Sequence, residues 1–213
     1  MKTLEEIMQM FPYTEKEKWS QHANGNGWVY ITAKVSPSAF IEGIVFDDAQ
    51  VFGNARVYGN ARVSGNARVY GDARVFGNAW VSDDAQVYGN ARVYGDARVF
   101  GDAWVSGDAQ VSGDAQVYGY ARVYGNARVF GDAQVYGYAQ VSGSAWKTSP
   151  LYIQGSKHSA SNVKYGSIAI GCEVHTFAEW LEQYKAIGKA AGYNEEQIEE
   201  YKAIIDLFVK VGR

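Results

Sequence analysis

The stretch VYGNARVYGDARVFGDAW, residues 87–104, writes one six-residue unit three times. Followed outward, the unit continues without a gap from Val45 to Trp146, which makes 17 hexads. The first position is Val and the fifth is Ala in all 17. The third is Gly in 15, the exceptions being Asp47 and Asp83, and the fourth is Asn or Asp in 14, the exceptions being Tyr120, Tyr138 and Ser144. A short fixed period of this kind predicts a solenoid.

Strand geometry assigns each position a task. Side chains alternate between faces along a strand, so in Ala-Arg-Val-Tyr-Gly-Asn the Ala and Val point inward and the Arg and Tyr point outward. Gly-Asn or Gly-Asp then turns the chain, because these residues tolerate left-handed backbone angles. Three hexads per lap give a triangular coil of 18 residues. The exceptions fit that lap: Asp47, Asp83, Tyr120 and Tyr138 all fall in the same class when hexads are counted in threes, which puts them on one edge of a prism.

The pattern V-x-G-[ND]-A-x resembles the hexapeptide repeat of left-handed parallel β-helices, and the resemblance covers about half of the chain. It implies the left-handed coil, against the usual right-handed crossover. The long loopless array is most similar to uncharacterised hexapeptide-repeat proteins of bacteria and their phages, with acyltransferases as more distant relatives. The expected fold is therefore mainly β: a left-handed parallel β-helix of about six coils, counted from two hexads, Val35–Phe40 and Ile41–Phe46, ahead of the array. The frame shift at Val45 predicts a kink or bulge near Gly43.

A solenoid has two raw ends that need caps. Residues 1–34 are read as the N-terminal cap. Thr3 and Glu6 form a capping box, Leu4, Ile7, Met8 and Phe11 share a helix face, and Pro12 stops the helix. Asn24-Gly-Asn-Gly27 reads as a turn into a strand WVYITAKV. Residues 35–146 form the β-helix and 147–175 an irregular closing segment. Residues 176–213 form a helical hairpin, opened by a second capping box at Thr176 and Glu179. Trp180, Leu181, Tyr184 and Ile187 share one face; Ile198, Tyr201, Ile205 and Phe208 point inward after the break at Gly192. The hairpin either caps the coil or serves self-association. It is also the expected cover for Tyr120 and Tyr138.

Composition excludes little but narrows the setting. Net charge is −3, so nothing pulls the chain toward nucleic acid or an anionic membrane. Cys172 is the only cysteine, which bars an intrachain disulfide and suits a reducing, cytoplasmic location. No apolar run is long enough to span a membrane, and MKTLEEIMQMF carries acids where a secretory signal would not.

Chemistry has few places to sit. The acyltransferase resemblance implies a histidine general base and an acyl-CoA cofactor, with loops that build a pocket between subunits. Here the histidines are His22, His158 and His175, none in the array, so only the C-terminal region could supply the base. Cys172 and His175, three apart on a strand, would face opposite sides; Cys172 with His158 from a neighbouring strand remains an alternative. A single Cys-x-x-His is a weak metal signal, and neither metal nor cofactor is expected on the leading reading. That reading is a non-enzymatic scaffold acting through outward ladders.

One face carries Arg56/Tyr58, Arg74/Phe76, Arg92/Tyr94, Gln110/Ser112 and Arg128/Phe130. These rungs, with Tyr120 and Tyr138, are the candidate binding residues, for a protein partner, a second copy or a glycan. They also read as a solvated ladder, because the array holds 8 Arg, 10 Asp and no Lys. The aspartates oppose a phosphate backbone, and the absence of Thr from the array argues against an ice-binding face. Ser follows Trp at the next outward place (Trp80/Ser82, Trp104/Ser106), which reads as room given to a large ring.

Overall fold

A computed structural model describes residues 2–211. Three walls of seven parallel strands each enclose a prism. The first wall runs from Trp28–Tyr30 to Gln134–Val135, the second from Lys34–Val35 to Gln140–Val141, and the third from Phe40–Ile41 to Ala145–Trp146. The chain visits each wall in turn. Through the array the partners are 18 residues apart, as where Arg74 lies between Arg56 and Arg92.

Inside, every array valine from Val45 to Val141 and every alanine from Ala49 to Ala139 has zero exposure. Valine stacks on valine in register, and each outward residue hands its N–H to the next lap, as from Arg74 to the Ala91 carbonyl at 2.9 Å. At the corners from Gly53 to Gly137 the glycines hold positive φ, and at the last corner Ser144 does. Asp47 and Asp83 take φ of 56° and 57° in the same place. Each returns a hydrogen bond: the Asp47 carboxylate accepts from the Gly65 N–H and that of Asp83 from the Gly101 N–H, both at 3.1 Å.

There are about seven laps rather than six. The additional lap begins at Trp28: VYITAK, residues 29–34, is itself a hexad whose corner is Ile31-Thr32 instead of Gly-Asn. The expected single strand WVYITAKV is thus two strands around a corner.

The frame shift also has a different origin. Val45 stacks on Val63 and Ile41 on Val57, so both sit in the valine position with a corner two residues short between them, and no bulge is needed. Gly43 takes the alanine place in that corner: its carbonyl accepts from the Trp28 N–H as the Ala61 carbonyl does from Ile44, both at 3.0 Å. A Cβ there would stand 2.5 Å from the Ala61 carbonyl oxygen, so only glycine fits.

At the far end the repeat slips by one. Trp146, not Lys147, falls on Val129, and it is buried, while Ala145 moves to the outward place on Arg128 and is exposed. The indole closes the valine column. Its Nε1 donates to the Gly143 carbonyl at 2.9 Å, and Tyr165 lies edge-on at 4.9 Å.

The terminal segments behave differently from simple lids. The helix α1 (Leu4–Met10) keeps its expected capping box, but it packs on the outside of the first wall. Ile7, Phe11 and Trp19 there meet Trp28, Ile44 and Phe46. The strand Trp19–Gln21 pairs antiparallel with Trp28–Tyr30. Asn24 and Gly27 bond to the backbone of Ile41.

After Trp146 the closing segment forms a four-stranded antiparallel sheet, Tyr152–Gln154, Ser159–Lys164, Ser167–Ile170 and Glu173–Thr176, whose central pair shifts register between Asn162 and Lys164. It docks on the end of the second wall through the Ser142 N–H and the Val163 carbonyl at 2.9 Å. Helices α2 (Phe177–Ala190) and α3 (Glu195–Val211) pack on this sheet. Trp180, Ile198, Tyr201, Ile205 and Phe208 are buried as expected, whereas Leu181 is exposed. The capping box at Thr176 and Glu179 is present.

Truncating the indole plug is the sharpest test of the closed core. Trp146→Ala is expected to cost about 3–5 kcal/mol, the usual range for a fully buried Trp, measured as a fall in the urea midpoint.

Candidate functional site

The third wall brings the sequence-picked rungs together. Arg56, Arg74, Arg92, Gln110 and Arg128 are consecutive Cα partners, and the four arginines are exposed. Beside them Tyr58, Phe76 and Tyr94 stack face to face, each pair 4.9 Å apart and within 3° of parallel. The Arg56 guanidinium lies 5.0 Å from the Phe40 ring centre and 5.8 Å from that of Tyr58. Ser112 interrupts the aromatic column before Phe130. Where Gln110 replaces arginine, its side-chain oxygen accepts from the Tyr94 hydroxyl at 3.4 Å.

Aspartates do not neutralise these arginines by direct contact. Among the described residues the three ion pairs all lie outside the array. The corner carboxylates accept instead from asparagine amides one lap away, as Asp96 does from Asn78 at 2.9 Å and Asp108 from Asn90 at 3.1 Å.

Tyr120 and Tyr138 stack at 5.0 Å on the edge between the first and second walls, the edge that also carries Asp47 and Asp83. The expected cover is absent: they are 54% and 56% exposed. The hairpin stays on the terminal sheet because its apolar face is already spent there. Trp80 also donates from Nε1 to Ser64 Oγ at 3.0 Å, one lap back.

His158, Cys172 and His175 line one cavity between the terminal sheet and the helix pair, with an accessible volume of about 360 Å³. Cys172 lies outside strand alternation, in the Gly171–Cys172 turn ahead of the strand that carries His175. Antiparallel pairing of Ala160 with Ile170 draws His158 alongside. His158 Nδ1 is 2.6 Å from the Tyr193 hydroxyl. His175 Nε2 is 3.1 Å from Glu173 Oε2, and its ring stands edge-on to Trp180 at 4.9 Å. Cys172 is exposed at the rim. Burial, reinforced by Tyr201 and then Cys172 and Glu200, pushes the Tyr193 phenol up to about 12. Tyr193 and Trp180 were not singled out as site residues; only the packing of the helix pair places them there. His22 lies apart from this cluster, against Asn24.

A family model described as YdcK Beta solenoid repeat matches residues 49–65, 55–70, 67–83, 85–96, 91–107 and 121–137, all within the array. The chain is a repeat β-solenoid. Searches of curated proteins and of solved structures found no match to it. No described helix of this β-solenoid is long and apolar enough to cross a membrane.

Two measurements check the site's electrostatics. Like charges directly opposite on neighbouring strands destabilise a sheet by about 0.2–1 kcal/mol, and salt screens them. Arg74→Gln is expected to stabilise the solenoid by that amount at low ionic strength. The gain should shrink at high salt, and a loss of stability would contradict the ladder's geometry. The second concerns Tyr193. Its folded value lies above the usual value near 10, so its share of stability is complete below about pH 10 and is lost as pH rises through about 12. Tyr193→Phe should flatten that part of the melting profile relative to the unsubstituted chain.

Proposed function

We propose that the protein is a non-enzymatic interaction scaffold whose third wall holds the acidic face of a protein partner. The observation that carries this reading is the in-register column Arg56, Arg74, Arg92 and Arg128, whose guanidiniums have no carboxylate within ion-pair range among the described residues. Stacked like charges cost stability, and a partner's carboxylates would remove that cost with bidentate geometry. The stacked rings of Tyr58, Phe76 and Tyr94 brace the column and give it apolar area. Arg and Tyr are residue types enriched where interfaces concentrate their energy.

The Tyr120/Tyr138 edge lies across the prism from this wall, so one flat partner covers only one of the two. The exposed tyrosine pair is a second contact region on this reading, and self-association through either region is the same chemistry with a second copy as the partner. The loopless six-residue array supports a place among hexapeptide-repeat proteins of bacteria or their phages, and the single thiol supports a cytoplasmic setting.

The test is capture from a native lysate followed by mass determination of the complex, with the unsubstituted chain and with Arg74→Glu/Arg92→Glu. The double variant is expected to lose the partner, or the second copy, without a fall in melting temperature. Retention of the same complex by the variant would reject the wall as the binding surface.

A further inference from the structure

We propose that the cavity between the terminal sheet and the helix pair is a binding site for a small, neutral aromatic molecule that carries a hydrogen-bonding group. It is separate from the arginine wall and does not depend on the scaffold reading.

Three observations lead there. First, the lining is rich in rings: Trp180, Tyr184, Tyr193 and Tyr201 join the imidazoles of His158 and His175, with isoleucines between them, around about 360 Å³. That volume lies at the low end of small-molecule sites, enough for one or two fused rings. Aromatic pairs favour offset-stacked or edge-to-face contact, and the wall already shows such contacts: His175 stands edge-on to Trp180 at 4.9 Å, and His158 stacks on Tyr193 at 5.7 Å.

Second, the polar groups are held in place before any ligand arrives. The Tyr201 hydroxyl accepts from the Lys157 N–H at 3.1 Å and donates to the His158 carbonyl at 2.7 Å, so it pins the His158 backbone. The Tyr193 hydroxyl, 2.6 Å from Nδ1, pins the ring. A Cβ on Gly171 would come within 3.1 Å of the imidazole, so that glycine keeps the place clear. The fixed imidazole and the Cys172 thiol, both in the lining, offer donor and acceptor capacity to a head group.

Third, charge selects against an acid. Glu173 is the carboxylate of the lining, and no arginine or lysine side chain joins it. Lys157 lies nearby but spends its ammonium on the carbonyls of Ala191 and Gly192, at 2.9 and 3.0 Å.

Cys172 is a built-in reporter, since it is the only thiol and is exposed at the rim. Indole is the probe, cyclohexanol the non-aromatic comparison and benzoate the anionic one. On the full chain, saturating indole is expected to slow alkylation of Cys172 by iodoacetamide at least fivefold and to raise the melting temperature, with little effect from the other two. Ala190→Trp, at an exposed position of α2 that lines the cavity, should abolish the protection while leaving the circular dichroism unchanged. Absence of protection by indole in the unsubstituted chain overturns the proposal, whatever the variant does. Equal protection by cyclohexanol or benzoate overturns the ligand class. Undiminished protection in a folded Ala190→Trp overturns the location.

Discussion

The inward valine is the contact on which everything else rests. One valine per wall per lap, fully dry and in register with the valine above and below, fixes the length of each side and thereby the direction of every other side chain. Alanine beside it leaves no room for a second large residue, so the core stays narrow and close-packed. The outer residues are free of packing duty. Arg, Gln and Trp therefore replace one another in the same column without disturbing the lap.

That division explains what could be read without coordinates. Valine and alanine at fixed places disclose the lap length and put Arg74 and Arg92 on one wall, because a period of six leaves no freedom about which way a side chain points. The ends are harder, because they keep the shape of the lap while giving up its letters. Gly43 stands in for alanine, Trp146 for valine, and Ile31-Thr32 for the glycine corner. Each substitution is physically sound, yet each hides the repeat from a pattern defined by its commonest residues. The hexad at residues 29–34 was missed for this reason alone.

The terminal cavity was legible only in fragments. His158, Cys172 and His175 stand out as the chain's scarce reactive groups outside the array. Their convergence depends on an antiparallel register and on a turn at Gly171 that releases Cys172 from strand alternation. Neither is encoded by a short period. The ring-rich walls depend further on how α2 crosses α3 at Gly188, where a Cβ would meet Ile198 at 3.0 Å. Long-range pairing of this sort leaves little mark on local sequence, and so the rings of Trp180 and Tyr193 read as ordinary helix packing.

The absence of loops between Val45 and Val141 has a mechanical consequence. Because three hexads close one lap, duplication or loss of 18 residues would lengthen or shorten the prism by one strand spacing, about 4.8 Å, with its two ends still in the same rotational phase. Duplication of a single hexad would instead swing the terminal sheet and its helix pair by a third of a revolution relative to α1. Gain or loss of hexads thus alters both reach and bearing without any new kind of residue in the core.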